Sequence, residues 1–134
     1  AFMQSLPQSL RERYHAYPYL HDEMPLALAA ADLVVARAGA STLGEFPALA
    51  LPSILVPYPY SGQHQENNAV YLADRGAAIK LADAELNARL APVILGLLGD
   101  PMTLRAMATA AQALARPDAA ATIAAQLIGL AHGG

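Results

Sequence analysis

Hydrophobic positions along this chain follow two periods. Between residues 33 and 81 short unbroken apolar runs alternate with stretches of helical spacing, and from Asp83 onward only the helical spacing persists. The runs at residues 33–36, 53–56 and 77–81 are too short for helices and are bounded by Gly, Pro or Asp, so they read as interior strands. Helices are predicted over residues 24–30, 42–50 and 65–74, with Gly76 at the place of a C-terminal cap. Upstream, residues 6–14 read as a short polar helix and residues 16–20 as a brief strand. The last third divides into alanine-rich helices over residues 85–98, 102–115 and 118–131, jointed at Asp100-Pro101 and Arg116-Pro117. Strand alternating with helix across short connections predicts an α/β, Rossmann-like parallel sheet with flanking helices, in a single domain over residues 1–134.

Composition narrows the partners. At 134 residues the chain is long enough for one real core, and a domain of this size buries roughly two thirds of its unfolded surface. A hydrophobic fraction of 55% raises the question of a membrane span, but residues 46–60 carry prolines at 47, 52, 57 and 59. No helix crosses a bilayer through that pattern, since a span needs ~20 uninterrupted apolar residues. With 8 Lys+Arg against 11 Asp+Glu and a net charge of −3, there is no basic stripe for nucleic acid and no polybasic patch for anionic lipid. Cysteine is absent, which removes disulfides, thiolate zinc sites and cysteine nucleophiles together. The first residues, AFMQSLPQSLRERY, lack the order of a signal peptide and read as the middle of a helix cut from a longer chain.

Two segments carry candidate chemistry. Residues 31–45, ADLVVARAGASTLGE, form a strand that breaks into a small-residue turn and then starts a helix. Gly39-Ala40-Ser41-Thr42 admits a ligand close to the backbone, and the helix start offers N–H groups to an anion. Glu45, one turn in, is placed to accept hydrogen bonds from a vicinal diol such as a ribose. The same residues fit S/T-x-x-E, a capping box in which Thr42 and Glu45 satisfy the helix's own N–H groups and nothing binds. The second segment, SGQHQENN at residues 61–68, follows the next strand and falls at the same end of the sheet, where open α/β folds collect ligands. His64, Gln65 and Asn68 lie at helical spacing there, and amide side chains suit sugar hydroxyls. A solvated helix start is the plainer reading. No G-x-G-x-x-G and no Walker lysine is present. The histidines at 15, 21, 64 and 132 are too far apart for a helical metal pair, and Asp22-Glu23 precedes a helix, where the dipole alone favours acids. No catalytic dyad, metal or cofactor is expected.

At their mutual spacing ARAGASTLGE and LPSILVPYPYSGQHQENNA resemble the donor-binding half of the MurG family of bacterial glycosyltransferases, and AYPYLHDEM, AAADLVVARAGAST and RPDAAATIAAQLI extend the resemblance over nearly the whole chain. The resemblance implies the C-terminal half of a two-domain GT-B enzyme, an inverting hexosyltransferase. That family moves N-acetylglucosamine from UDP-N-acetylglucosamine to a muramyl-pentapeptide lipid carrier, converting lipid I to lipid II for peptidoglycan and cell-wall growth. It implies that Ala40, Ser41 and Thr42 face the diphosphate and sugar, that Glu45 holds the ribose, and that His64, Gln65 and Asn68 meet the sugar. Backbone groups of Leu20 or His21 would read the uracil. The full enzyme would sit peripherally on the cytoplasmic face of the inner membrane, and this piece alone would be soluble. Gly62 departs from the family's Asp or Asn, and Ala50 from its glycine before Leu-Pro, a small change at a helix end.

The family's acceptor domain and its Gly-Gly-Ser phosphate loop have no counterpart in the sequence. The expectations are therefore weak donor binding, no transfer by these residues alone, access to lipid I only through the acceptor domain, and an exposed sheet edge open to pairing with a second copy. Two other readings stand beside this one: the donor subunit of a split transferase, and a Rossmann-like interaction module without ligand.

Overall fold

The computed structural model describes residues 2–132. Three strands, β1 (Val34–Ala36), β2 (Ser53–Leu55) and β3 (Ala78–Lys80), form a parallel sheet in the order β1-β2-β3. Val35 pairs with Ile54 and Ile54 with Ile79, so the register runs straight across the sheet. The central strand is buried throughout. Successive side chains on a strand face opposite ways, and Leu55 and Ile54 accordingly enter two separate cores. The helices α1 (Phe2–Ser5), α2 (Gln8–Arg11), α3 (Met24–Ala29), α4 (Thr42–Ala48) and α5 (His64–Ala73) precede β3. A 3₁₀ turn at Asp83–Glu85 follows it, and then come α6 (Leu86–Leu98), α7 (Pro101–Ala113) and α8 (Ala119–His132).

Leu55 packs with Phe46 of α4, Ala69 and Leu72 of α5, and Ala111 of α7, whereas Ile54 packs with Leu81, Leu97 of α6 and Met107 of α7. Both faces of the sheet are thus covered, as the apolar run of β2 requires. This is the α/β, Rossmann-like architecture read from the sequence. None of α8 is buried, and Ile123, Leu127, Ile128 and Leu130 are each more than half exposed. Among the described residues no single helix is long and apolar enough to cross a membrane.

Two expectations fail near the start. Of residues 6–14 only Gln8–Arg11 are helical, because Pro7 takes an extended conformation (ψ 148°) and the helix starts after it. Residues 16–20 form no strand: Pro18 removes a ladder donor, and no strand of the three-stranded sheet pairs with them. The helix expected from residue 85 begins as the tighter 3₁₀ turn.

Helices α4 and α5 end alike. The Ala77 N–H donates to Leu72 and the Gly76 N–H to Ala73, the Schellman pairing that needs a left-handed residue after the last turn. Gly76 supplies it with φ +75°. At the end of α4 the Leu51 and Ala50 N–H groups donate to Phe46 and Pro47 in the same pattern, and Ala50 is held at φ +50°. The substitution of Ala for Gly is therefore not the small change expected at a helix end: a Cβ in left-handed backbone costs roughly 1 kcal/mol.

Candidate functional site

Three loops leave the carboxyl ends of the strands: residues 37–41 after β1, 56–63 after β2, and 81–82 after β3. That edge is where open α/β sheets hold ligands. The first loop winds into α4 through short-range bonds, with the N–H groups of Thr42, Leu43 and Gly44 donating to the carbonyls of Gly39, Ala40 and Ser41 at 3.2, 3.2 and 3.0 Å. The Thr42 side chain is buried and its hydroxyl donates to the Gly39 carbonyl at 2.6 Å.

The capping box is therefore not formed. Ser41 occupies the N-cap position in helical conformation, and no side chain caps the helix. The expected free donors of the first helical turn are likewise satisfied. One turn earlier, the backbone N–H groups of Gly39, Ala40 and Ser41 have no acceptor among the described residues. Space beside Gly39 is open, since a Cβ there would meet nothing within 4 Å.

The second loop is tied to α5. The Gln65 carbonyl oxygen Oε1 accepts from the Tyr58 N–H at 2.9 Å, and the Asn68 nitrogen Nδ2 donates to the Ala38 carbonyl at 3.0 Å. A backbone N–H only donates and a backbone C=O only accepts, so these partners fix both amides. Gln65 has its NH₂ group left over, and Asn68 its carbonyl oxygen. His64 opens α5, exposed to solvent, and its side chain has no hydrogen bond among the described residues.

Glu45 is exposed and lines a cleft of about 410 Å³ together with His21, Met24, Leu28 and Leu49. Leu20 lies apart from it, in a neighbouring cleft of about 380 Å³ with Tyr17, Tyr19 and Leu26. His21 thus shares the cleft of Glu45. The Tyr19 and His21 rings meet at 4.5 Å between centroids.

Three residues passed over in the sequence reading stand at the same edge. Arg37 pairs with Asp83 at 2.5 Å, its guanidinium lies 5.5 Å from the centre of the Tyr58 ring, and the carbonyls of Val56 and Pro57 are 3.4 and 3.5 Å from its Nη1. A charged residue directly after an apolar strand was the available signal. Below Asp83, Glu85 accepts from Arg89 at 2.5 Å and from the Ala82 N–H at 3.2 Å. The Arg89 bond foremost, then the Ala82 N–H, holds its carboxyl below the ordinary range. Lys80 of β3 pairs with Glu66 of α5.

The pattern of the glycosyltransferase family 28 C-terminal domain matches residues 2–123. The chain belongs to that family. Among its family 28 relatives is the UDP-N-acetylglucosamine--N-acetylmuramyl-(pentapeptide) pyrophosphoryl-undecaprenol N-acetylglucosamine transferase of Roseiflexus sp., 46% identical over 92% of this chain and 32% of the relative. The protein of the same name from Desulforudis audaxviator is 51% identical over 76% of this chain and 28% of its own length. The crystal structure of Acinetobacter baumannii MurG superposes with a TM-score of 0.71 at 31% identity, over 80% of this chain and 31% of that one. The chain thus spans about a third of the length of the relatives it matches.

Proposed function

We propose that this chain is the donor-binding portion of an enzyme that transfers N-acetylglucosamine from UDP-N-acetylglucosamine to an N-acetylmuramyl-pentapeptide pyrophosphoryl lipid. The observation that carries the reading is Glu45, whose carboxylate is exposed, makes no cap and faces the same cleft as His21. A carboxylate there accepts two hydrogen bonds from the 2′ and 3′ hydroxyls of a ribose, each charge-assisted. The backbone of His21, which lines that cleft, reads the uracil edge.

The diphosphate lies against Gly39, Ala40 and Ser41, whose N–H groups have no acceptor among the described residues. Thr42 shapes this turn through its bond to Gly39. The sugar meets α5. The leftover NH₂ of Gln65 donates to a sugar or acetamido oxygen, the Asn68 carbonyl oxygen accepts from a hydroxyl, and His64 adds a donor or acceptor at the helix start. The three polar groups present complementary partners to a ring that carries hydroxyls and one acetamide.

Transfer itself, with inversion at the anomeric carbon, requires an acceptor pocket and a general base. We assign both to an N-terminal domain of the full-length enzyme, as with contact to the lipid and the membrane surface. Titration of the chain with UDP-N-acetylglucosamine, followed by calorimetry and by amide NMR shifts, tests the reading. Shifts at residues 39–42, Glu45 and Gln65 support it, and an unperturbed spectrum at millimolar donor contradicts it.

A further inference from the structure

The donor reading uses the loops after β1 and β2 and leaves the loop after β3 without a role. One contact joins all three. Arg37, the first residue after β1, reaches over the end of β2 to Asp83, the first residue of the 3₁₀ turn after β3. On the way its guanidinium covers the Tyr58 ring and approaches the carbonyls of Val56 and Pro57.

We infer that Arg37 and Asp83 are positioning residues that set the donor cradle from the far loop. The connection runs through atoms already placed. Tyr58, under the guanidinium, gives its N–H to Gln65 and thereby decides that the Gln65 NH₂ points away from the loop. Ala38, next to Arg37 in sequence, is held by Asn68. The turn at residues 38–42 is thus pinned on one side by the Asn68 amide and on the other by the Arg37 side chain.

Among the described residues β1 pairs on one side only, with β2. Its loop has fewer restraints than a central strand's, and a cross-sheet tie matters more there. Asp83 in turn is held in place by the turn that Glu85 closes onto the Ala82 N–H. Both partners of the pair are partly exposed, at 47% and 36% of their side chains. Exposed pairs contribute little to global stability, so orientation is the effect to measure.

The inference rests on the donor reading for its purpose, and the test separates the two. Asp83→Asn and Asp83→Glu are compared with the unchanged chain, first without ligand by amide and side-chain NMR. The relay predicts that Asp83→Asn moves the signals of residues 38–42, Tyr58 and the Gln65 NH₂ with little change in thermal midpoint, and that Asp83→Glu restores them. Perturbation confined to residues 82–86 overturns it. Titration with UDP-N-acetylglucosamine then predicts a loss of affinity of about two- to fivefold in Asp83→Asn. Equal affinity in all three proteins overturns the positioning role, whereas no uptake by the unchanged chain overturns the donor reading and leaves the ligand-free spectra to decide the relay.

Discussion

The Asn68 amide donates to the Ala38 carbonyl at 3.0 Å, so α5 holds the turn that ends β1. Ala38 is fully buried, and the Asn68 amide satisfies its carbonyl. Asn68→Ala should cost about 1–3 kcal/mol of unfolding free energy, the penalty of an orphaned buried carbonyl. Asn68→Asp should cost more than Asn68→Ala, because it sets a carboxylate against a carbonyl oxygen. Urea unfolding of the three proteins checks both the size and the order.

Ala50 sits at φ +50° in the Schellman turn that closes α4. Glycine takes that conformation without a Cβ conflict. Ala50→Gly should therefore stabilise the fold by about 0.5–1 kcal/mol even though it frees the unfolded chain. A rise in the urea midpoint at unchanged slope is the expected signature, and a fall would show that the turn relaxes without glycine.

These two positions illustrate what the sequence made legible. Apolar runs and Gly/Pro punctuation were enough for β1, β2 and β3 and for the Gly76 cap, since burial on both faces forces such runs. Ala50 was visible only as a departure, because its cost depends on a backbone angle that an alanine does not advertise. The strand expected at residues 16–20 failed for a non-local reason: strand pairing needs a neighbour, and local pattern says nothing of one. The candidate site was legible as residue types at the right sheet edge. What each polar group is free to do was not, because the commitments of Thr42 to Gly39, Gln65 to Tyr58 and Asn68 to Ala38 arise only once the loops close. Arg37 and Asp83 are 46 positions apart in sequence, beyond any local signal. Gly62 was a departure from the family's Asp or Asn, and its φ of +66° falls in the one region that Gly, Asn and Asp all tolerate.

Ser53 lies in the central strand, buried, and its hydroxyl has no hydrogen-bond partner. An unsatisfied buried hydroxyl opposes folding. Ser53→Ala should stabilise by about 1 kcal/mol, the low end of the burial penalty for such a group. Ser53→Val should do less well, since it adds volume at a site that is already buried. Thermal unfolding of both variants measures this.

Asp100 caps α7, accepting from the N–H groups of Met102 and Thr103 at 3.1 and 3.2 Å and from the Thr103 hydroxyl at 2.6 Å. The Thr103 hydroxyl first, and the backbone N–H groups after it, hold its carboxyl below the ordinary aspartate range. Such a group stabilises the fold above its unfolded pKa, and the contribution is lost as pH falls through the lowered folded value. Asp100→Ala should thus lower the thermal midpoint clearly at neutral pH and progressively less on acidification below the normal aspartate range. A deficit that does not shrink with acidification would contradict the assignment.

The donor reading turns most directly on Glu45. Calorimetric titration of UDP-N-acetylglucosamine into the chain and into its Glu45→Ala variant, with urea unfolding of both, measures the role and its alternative together. Removal of one or two charge-assisted hydrogen bonds, about 1.5–3 kcal/mol each, should weaken binding tenfold or more while stability stays within about 0.5 kcal/mol. Unchanged donor affinity with a loss of about 1 kcal/mol of stability would mean that Glu45 serves the helix and not the ribose.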